Sequence, residues 1–451
     1  MARLFGTDGV RGEANLELTP ELAYRLGRAA ALYFGEKQRG ESLPGILIGR
    51  DTRLSGPMFE AALATGICSA GGQAILAGVI PTPAIAWLTK KLGYQAGIVV
   101  SASHNPFYDN GIKIFSKEGT KIPADLETKI EDFIDGTITI SYAVEDAIGS
   151  IHAYPDGIMH YMEAMKAEFP LCLNGFRIAM DCANGSASFT AEKVFRDLGA
   201  EVTVLNDHPD GLNINADCGS THPQAFQKFM REHHGAYDLG LMFDGDADRQ
   251  ILVRPDGELL NGDFILYIIG RYYKEKGTLS GNTIVTTVMA NLGLWKAMAA
   301  HGIHVEKTQV GDKYVYERMC EKGCIIGGEQ SGHIILKHHA TTGDGLLTAL
   351  AIVKIMQATG KAIVDLCHGL KIYPQELINV RVRDKNLAMK DEEIMTVISD
   401  MEAALHGNGR VLVRPSGTEP LIRVMVEAET DALCKEMVEK VASIVRRKYG
   451  I

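Results

Sequence analysis

Four short strings in this chain gather residue types that can do chemistry. The first is SASHNP, residues 101–106, followed by Asp109, Asn110, Gly111 and Lys113; an apolar run from Gly97 to Val100 ends abruptly in it. A serine hydroxyl is a weak nucleophile at neutral pH unless neighbours activate it. His104 and Lys113 stand in or beside the same loop as Ser101 and Ser103. A strand-ending turn in which Ser, His and Asn satisfy the backbone explains the string equally well by itself.

The second string, DGDADR, sets Asp244, Asp246 and Asp248 at alternating positions. In an extended loop alternate side chains point the same way, and three such carboxylates repel unless a cation neutralises them. Oxygen-only ligands suit Mg²⁺, which leaves sites for phosphate oxygen and water. An EF-hand would need Gly sixth and Glu twelfth; those places hold Arg249 and Pro255. An acidic surface turn is the plain alternative, but the preceding LGLMF has the pattern of a buried strand, and buried charge needs a partner. Arg249 either holds a phosphate or pairs with an aspartate.

The third string, GEQSGH, offers Glu329, Ser331 and His333, with Gly327, Gly328 and Gly332 letting a ligand approach the backbone. A carboxylate beside a hydroxyl can grip vicinal sugar hydroxyls; a satisfied turn explains it as well. The fourth, RPSGTEP, combines Arg414, Ser416, Gly417 and Thr418 with Arg423 on the next strand. Two guanidiniums, two hydroxyls and free backbone N–H groups make an anion nest; a turn salt-bridged through Glu419 is the alternative. Further basic loops that could meet an anion carry Arg11 (GTDGVRG) and Arg50 and Arg53 (GRDTRLSG), for which interdomain salt bridging is the alternative, at least as good for the last two. No Walker A, G-x-G-x-x-G or H-E-x-x-H string stands in a suitable context.

The elements that must position these strings recur. Three times an apolar strand, a polar loop and a helix lead to a Gly-led strand, then to another apolar strand ending in a polar loop. The rounds close on GIVVSASHNP, LGLMFDGDADR and CIIGGEQSGH. Continuous Val, Ile and Leu runs alternating with helices indicate α/β domains with largely parallel buried strands, which carry ligand loops at the strand carboxyl ends. After Ile372 the pattern changes to a small α+β domain: LINVRVRD alternates as a half-buried strand, DEEIMTVISDMEAAL has helical spacing, two strands flank RPSGTEP, and a helix closes the chain. The boundaries read as 1–155, 156–256, 257–371 and 372–451. A helix over Leu22–Tyr33 has Thr19 as N-cap and Pro20 in its first position.

With 451 residues the chain exceeds one core and needs three or four domains. A composition 46% hydrophobic and 23% charged is that of a soluble globular protein. The net charge of −10 argues against nucleic acid as main partner. The eight cysteines are scattered, Cys320 and Cys324 being the nearest pair, which fits reduced thiols in a cytoplasmic protein. The start lacks an apolar leader segment, and the uncharged run Ala61–Thr89 is broken by Gly71, Gly72 and Pro81, Thr82, Pro83 into helix, strand and second helix, so no membrane span is expected.

Taken together, FGTDGVRG, GRDTRLSG, VSASHNPFYDNGIK, DCANGS, FDGDADR, TQVGDKYV, GEQSGH, TTGDGLLTAL and RPSGTEPLIRV resemble the α-D-phosphohexomutase superfamily over nearly the whole length. The resemblance implies three similar mixed α/β domains and a smaller C-terminal α+β domain around a central cleft. It implies an isomerase that moves a phosphoryl group between C6 and C1 of a sugar, through a phosphoserine and a bisphosphate. Glucosamine phosphate is the substrate it favours, on the way to UDP-N-acetylglucosamine; mannose or glucose phosphate is the near alternative, and a metal-dependent phosphatase or a non-catalytic phosphosugar-binding protein the remoter one.

By the same resemblance the phosphorylated serine is Ser103, and Asp244, Asp246 and Asp248 hold Mg²⁺ with the Ser103 phosphate. Arg11, His104, Lys113 and His333 belong to the reacting centre, which Arg249 borders; no one of Arg11, Lys113 and His333 stands out as general base. Glu329, Ser331, Gly311 and Asp312 contact the sugar. Arg414, Ser416, Gly417, Thr418 and Arg423 hold its non-reacting phosphate, a grip that must accept either end in turn and so implies a moving fourth domain. A homodimer is the assembly it suggests. Lys337, His338 and His339 depart from the acidic residue usual before TTGDG; the two histidines read as surface.

Overall fold

The computed structural model describes residues 4–6, 8–34, 45–416 and 419–451. The chain divides into two compact units, Met1–Met289 with Ile303–His368, and Ala290–Gly302 with Gly369–Ile451. Among the described residues no helix is long and apolar enough to cross a membrane.

The first unit repeats one topology three times. In its first sheet Gln73–Val79, Gly45–Arg50 and Ala96–Val100 are parallel neighbours in that spatial order, and Asp109–Ser116 adds antiparallel to the last. The second sheet sets Glu201–Leu205, Arg177–Asp181, Leu239–Phe243 and then antiparallel Gln250–Val253 in the same order. The third does so with His304–Thr308, Thr283–Thr287, Ile326–Gly328 and antiparallel Ile334–Leu336. SASHNP, DGDADR and GEQSGH therefore occupy one and the same connection in each sheet, from the third parallel strand to its antiparallel neighbour. Parallel strands require crossovers; in the first sheet Gly56–Ser69 and Thr82–Leu92 provide them, with Gln73–Val79 between, so the uncharged run is broken into helix, strand and helix.

The strands that lead into the first two loops are buried at every residue, consistent with their unbroken apolar runs. The helix Pro20–Phe34 begins where the sequence puts it, Thr19 Oγ1 accepting from Leu22 N at 3.2 Å.

The second unit holds a three-stranded antiparallel sheet in the order Gln375–Arg381, Leu421–Glu427, Arg410–Pro415. Helices Glu392–Ala404 and Asp431–Tyr449 pack Ile394, Met401, Val438 and Val441 into its core. It also takes in the helix Leu292–Ala300, which sequence pattern assigns to the preceding domain. The cause is polar. Asn291 caps that helix and holds Tyr373 N at 2.9 Å, while Glu427 accepts from Leu292 N and takes Arg410 through both oxygens.

Candidate active site

Ser103 follows directly from the buried end of Ala96–Val100. Its backbone lies in the left-handed region, φ 53°, a conformation that costs a residue with a Cβ about 1–2 kcal/mol. The residue is 1% exposed, and its Oγ donates to Asp244 Oδ2 at 2.6 Å. Ser101, the other candidate, has its hydroxyl engaged: it donates to Asp51 Oδ2 at 2.6 Å and accepts from Ser103 N at 2.9 Å. Ser101 thus shapes the loop while Ser103 faces the carboxylates. His104 Nδ1 is 3.3 Å from Ser103 Oγ. Burial, with Arg249 and Arg11 nearby, pushes that imidazole down to about 3, so it is neutral at physiological pH.

Asp244, Asp246 and Asp248 converge as expected, each offering an oxygen within 4.8 Å of the others. The means differ from the extended loop that alternation suggests. The segment is a tight turn, with Ala247 at φ 56° and Ala247 N bonded to Asp244 O. Burial, Asp248 and Asp246 together push the Asp244 carboxyl well above its ordinary value. Asp246 Oδ1 and Asp248 Oδ1 are buried without a hydrogen-bond partner. Three buried carboxylates, two of them with an unpaired oxygen, and no sulfur or nitrogen donor among them fit a hard divalent cation such as Mg²⁺. Thr82, the first residue of the helix Thr82–Leu92, supports the set by donating to Asp246 Oδ2 at 2.6 Å.

Around these carboxylates runs a closed ring in which acids and bases alternate. Lys113 Nζ lies 3.3 Å from Asp248 and 3.2 Å from Asp8. Lys121 joins Asp8 to Asp312, the latter at 2.6 Å. Asp312 lies 3.4 Å from His333 Nε2, and His333 Nδ1 is 3.6 Å from Asp248. Burial would neutralise Lys113, but Asp246, at 2.7 Å, with Asp8 and Asp248 keeps its ammonium well above the usual lysine value. Burial likewise opposes the charge on Asp8, and Lys113, Lys121 and Arg11 outweigh it, holding its carboxyl well below the usual range. For His333 burial acts downward, yet Asp248 and Asp312 lift it to about 9. Gly343 N–H, 2.9 Å from Nε2, favours the neutral ring with its proton on Nδ1; against one such donor the carboxylates prevail, so the direction is upward.

Arg11, on the strand Val10–Glu13, pairs with Asp8, and its Nε is buried without a partner. Arg249 Nε is also buried without a hydrogen bond, 3.9 Å from both Asp244 and Asp248. Both guanidiniums lie near enough to His104 to act on its ring and have donor capacity to spare. In GEQSGH, Glu329 accepts Gly311 N at 3.1 Å, which joins the two expected sugar-contacting loops. Burial pushes the Glu329 carboxyl up. Ser331 Oγ is buried with no partner.

In the second unit Arg414 and Arg423 stand directly opposite each other across adjacent strands. Like charges so placed destabilise a sheet. Glu419 lies 3.5 Å from Arg423, so the turn salt bridge exists, but it leaves Arg423 Nε buried and unpaired. Ser416 Oγ accepts from Glu419 N, and Lys385 donates to Ser416 O and Glu419 O. An anion between the guanidiniums would relieve their repulsion. Gly417 and Thr418 lie outside the described residues.

Several residues escaped the sequence reading. Asp8 stands in the same string, GTDGVRG, as Arg11 and had that signal; Lys121 had none. Of the two readings for Arg50 and Arg53, the interdomain salt bridge is not what their ion pairs show. Arg50 pairs with Glu60 at 3.2 Å, and Arg53 with Asp51 at 2.9 Å, fully buried. The remaining donors of Arg53 serve carbonyls of the serine loop. His339 is half-buried against Glu168 at 2.8 Å, and His338 is exposed.

Four family models match the chain in order. They are described as phosphoglucomutase/phosphomannomutase alpha/beta/alpha domain I, over residues 2–139; domain II, over 159–257; domain III, over 261–373; and C-terminal domain, over 377–444. A curated phosphoglucosamine mutase of Carboxydothermus hydrogenoformans is 51% identical over 448 residues, 99% of this chain and 100% of that one. One of Geobacillus thermodenitrificans is 49% identical over 452 residues, 100% of each. The crystal structure of a phosphoglucomutase/phosphomannomutase family protein from Burkholderia thailandensis is 23% identical and matches with a TM-score of 0.80, covering 100% of this chain and 99% of that one, a likeness of fold.

Proposed function

The chain belongs to the phosphoglucomutase/phosphomannomutase family, and from that membership we propose that it is a phosphoglucosamine mutase, interconverting glucosamine 6-phosphate and glucosamine 1-phosphate. Full-length relatives at 49–51% identity support the amino sugar. The observation that carries the chemistry is Ser103 Oγ, 2.6 Å from Asp244 in a buried cluster of three carboxylates.

Ser103 is the phosphoryl carrier. The bond from its Oγ to phosphorus breaks as a sugar hydroxyl forms a new one, and the hydroxyl's proton leaves to a base. The resulting bisphosphate turns over, and its other phosphoryl returns to Ser103 Oγ. Such transfers ask for alignment and charge neutralisation above all. Asp244, Asp246 and Asp248 would hold Mg²⁺, which supplies charge neutralisation at the transferring phosphoryl when bound. Lys113, beside Asp246 and Asp8, serves neutralisation, and Arg11 and Arg249 offer their unpaired Nε–H groups to phosphoryl oxygens. Glu329 and Ser331 grip the sugar hydroxyls. Arg414, Ser416 and Arg423, with Gly417 and Thr418, hold the phosphate that is not reacting.

The test is an interconversion assay with glucosamine, glucose and mannose phosphates side by side, run with Ser103→Ala beside the wild type. Glucosamine phosphate should turn over fastest, by at least roughly tenfold, the scale of one well-made contact to the substituent that differs. Equal or better turnover of mannose or glucose phosphate moves the protein to the other activity the family's description names. Release of inorganic phosphate without isomer would make it a phosphatase.

A further inference from the structure

We propose that Arg53 and Asn215 are positioning residues for Ser103, holding its peptide in the left-handed conformation that aims Oγ at Asp244. The inference rests on the reading of Ser103 as the phosphoryl carrier.

The Arg53 side chain is wholly buried. Its Nε donates to Asp51 Oδ2 at 2.9 Å, Nη1 to the carbonyls of Pro106 and Asp109, and Nη2 to those of Ser103, at 3.0 Å, and Asn105, at 2.8 Å. A guanidinium that meets one carboxylate and spends its other donors on the main chain of one loop fixes that loop's shape. Asn215 is also buried, and its Nδ2 donates to the same two carbonyls, Ser103 at 2.9 Å and Asn105 at 3.1 Å. The carbonyls on either side of His104 are thus each bonded twice, from two separate sheets' connections. Ser103 N is held by Ser101 Oγ, so both polar groups of the residue are tied. Gly245 closes the remaining side: a Cβ there would come within 2.6 Å of Ser103 O. An unfavourable φ persists only where its surroundings over-determine it, and these bonds do so at the one residue whose oxygen must line up for transfer.

A displacement of the reacting atom by about 1 Å costs on the order of 10²-fold in rate. Two variants read this out. Asn215→Gly removes the amide yet keeps a residue at ease with the left-handed backbone at position 215, φ 57°. Arg53→Lys keeps the charge facing Asp51 but cannot span the loop carbonyls. Kinetics of the full chain, thermal melting and phosphate occupancy at Ser103 by mass spectrometry are measured together. Both folded variants should lose roughly 10- to 100-fold in kcat with KM within about threefold. A role in stability alone predicts lowered melting temperature with kcat intact. Wild-type kcat in folded Asn215→Gly overturns the proposal, as does a loss carried wholly by KM; that variant decides the matter where Arg53→Lys does not fold. Mutase activity in Ser103→Ala would sink the reading of Ser103 itself, whereas an inactive Ser103→Ala beside fully active Asn215→Gly and Arg53→Lys sinks only this inference.

Discussion

The serine corner of the first unit and the arginine loop of the second arrange their charged groups in opposite ways. Around Ser103 the charges are buried or partly buried and matched: three basic groups and three carboxylates alternate in a ring, and the loop itself is tied by Arg53 and Asn215. At Arg414 and Arg423 two guanidiniums oppose each other, half-exposed, with one distant carboxylate. The first arrangement is preorganised, which is what stabilises a transition state without reorganisation at the moment of reaction. The second leaves its two guanidiniums short of negative charge, which an anion there would supply. Chemistry and binding should therefore separate between the two regions.

The sharpest break of that comparison is Ser103→Ala. It removes the oxygen that faces Asp244 and should lower interconversion by roughly 10³-fold or more, leaving far-UV circular dichroism unchanged. Residual activity near wild type would place the chemistry elsewhere.

Next in size, Asp246→Asn should cut kcat by roughly 10²–10³-fold and weaken Mg²⁺ binding measured by calorimetry, since one of the clustered oxygens is lost. Chelation of the wild-type enzyme should do the same reversibly. Undiminished Mg²⁺ affinity in the variant would remove Asp246 from the ligand set.

Arg414→Ala and Arg423→Ala should act on KM, raising it about tenfold with kcat much less changed, as loss of a charge-assisted contact made in ground and transition states alike. A fall in kcat matching that of Asp246→Asn would erase the distinction between the regions.

The smallest effect tests the second unit's frame. Asp391 caps the helix Glu392–Ala404 and bonds Lys448, whose hydrogen bond, with that of Tyr449, holds its carboxyl down to about 2. A carboxyl lowered on folding contributes stability above its unfolded value of about 4, lost as pH falls towards 2. Asp391→Ala should lower the melting temperature by roughly 2–4 °C at neutral pH and flatten the acid limb of the melting curve. An unchanged acid limb would show that another group governs it.

What could be read in advance was local. The recurring strand, loop and helix marked three alike domains, and the matched topology places all three loops in the same connection of their sheets. Thr19 and Pro20 marked a helix start that holds. Buried-strand patterns ahead of SASHNP and DGDADR were likewise visible, because a strand covered on both faces reads as an unbroken apolar run. The helix Leu292–Ala300 shows the limit: its own pattern is that of any buried helix, and only Asn291, Glu427 and Arg410, more than a hundred residues apart at the extremes, assign it to the second unit.

The sequence by itself determined the residue types at the site, the order of the loops and, through them, the class of chemistry. The family resemblance already pointed to Ser103 rather than Ser101; what only tertiary structure adds is what separates the two hydroxyls of one string, Asp244 facing one and Asp51 the other. Tertiary structure also brought Asp8 and Lys121 into the charge ring and turned Arg53 inward to the serine loop. Those assignments depend on distances between residues far apart in the chain, and electrostatic and hydrogen-bond energies are set by distance and burial, which no local pattern of residues encodes.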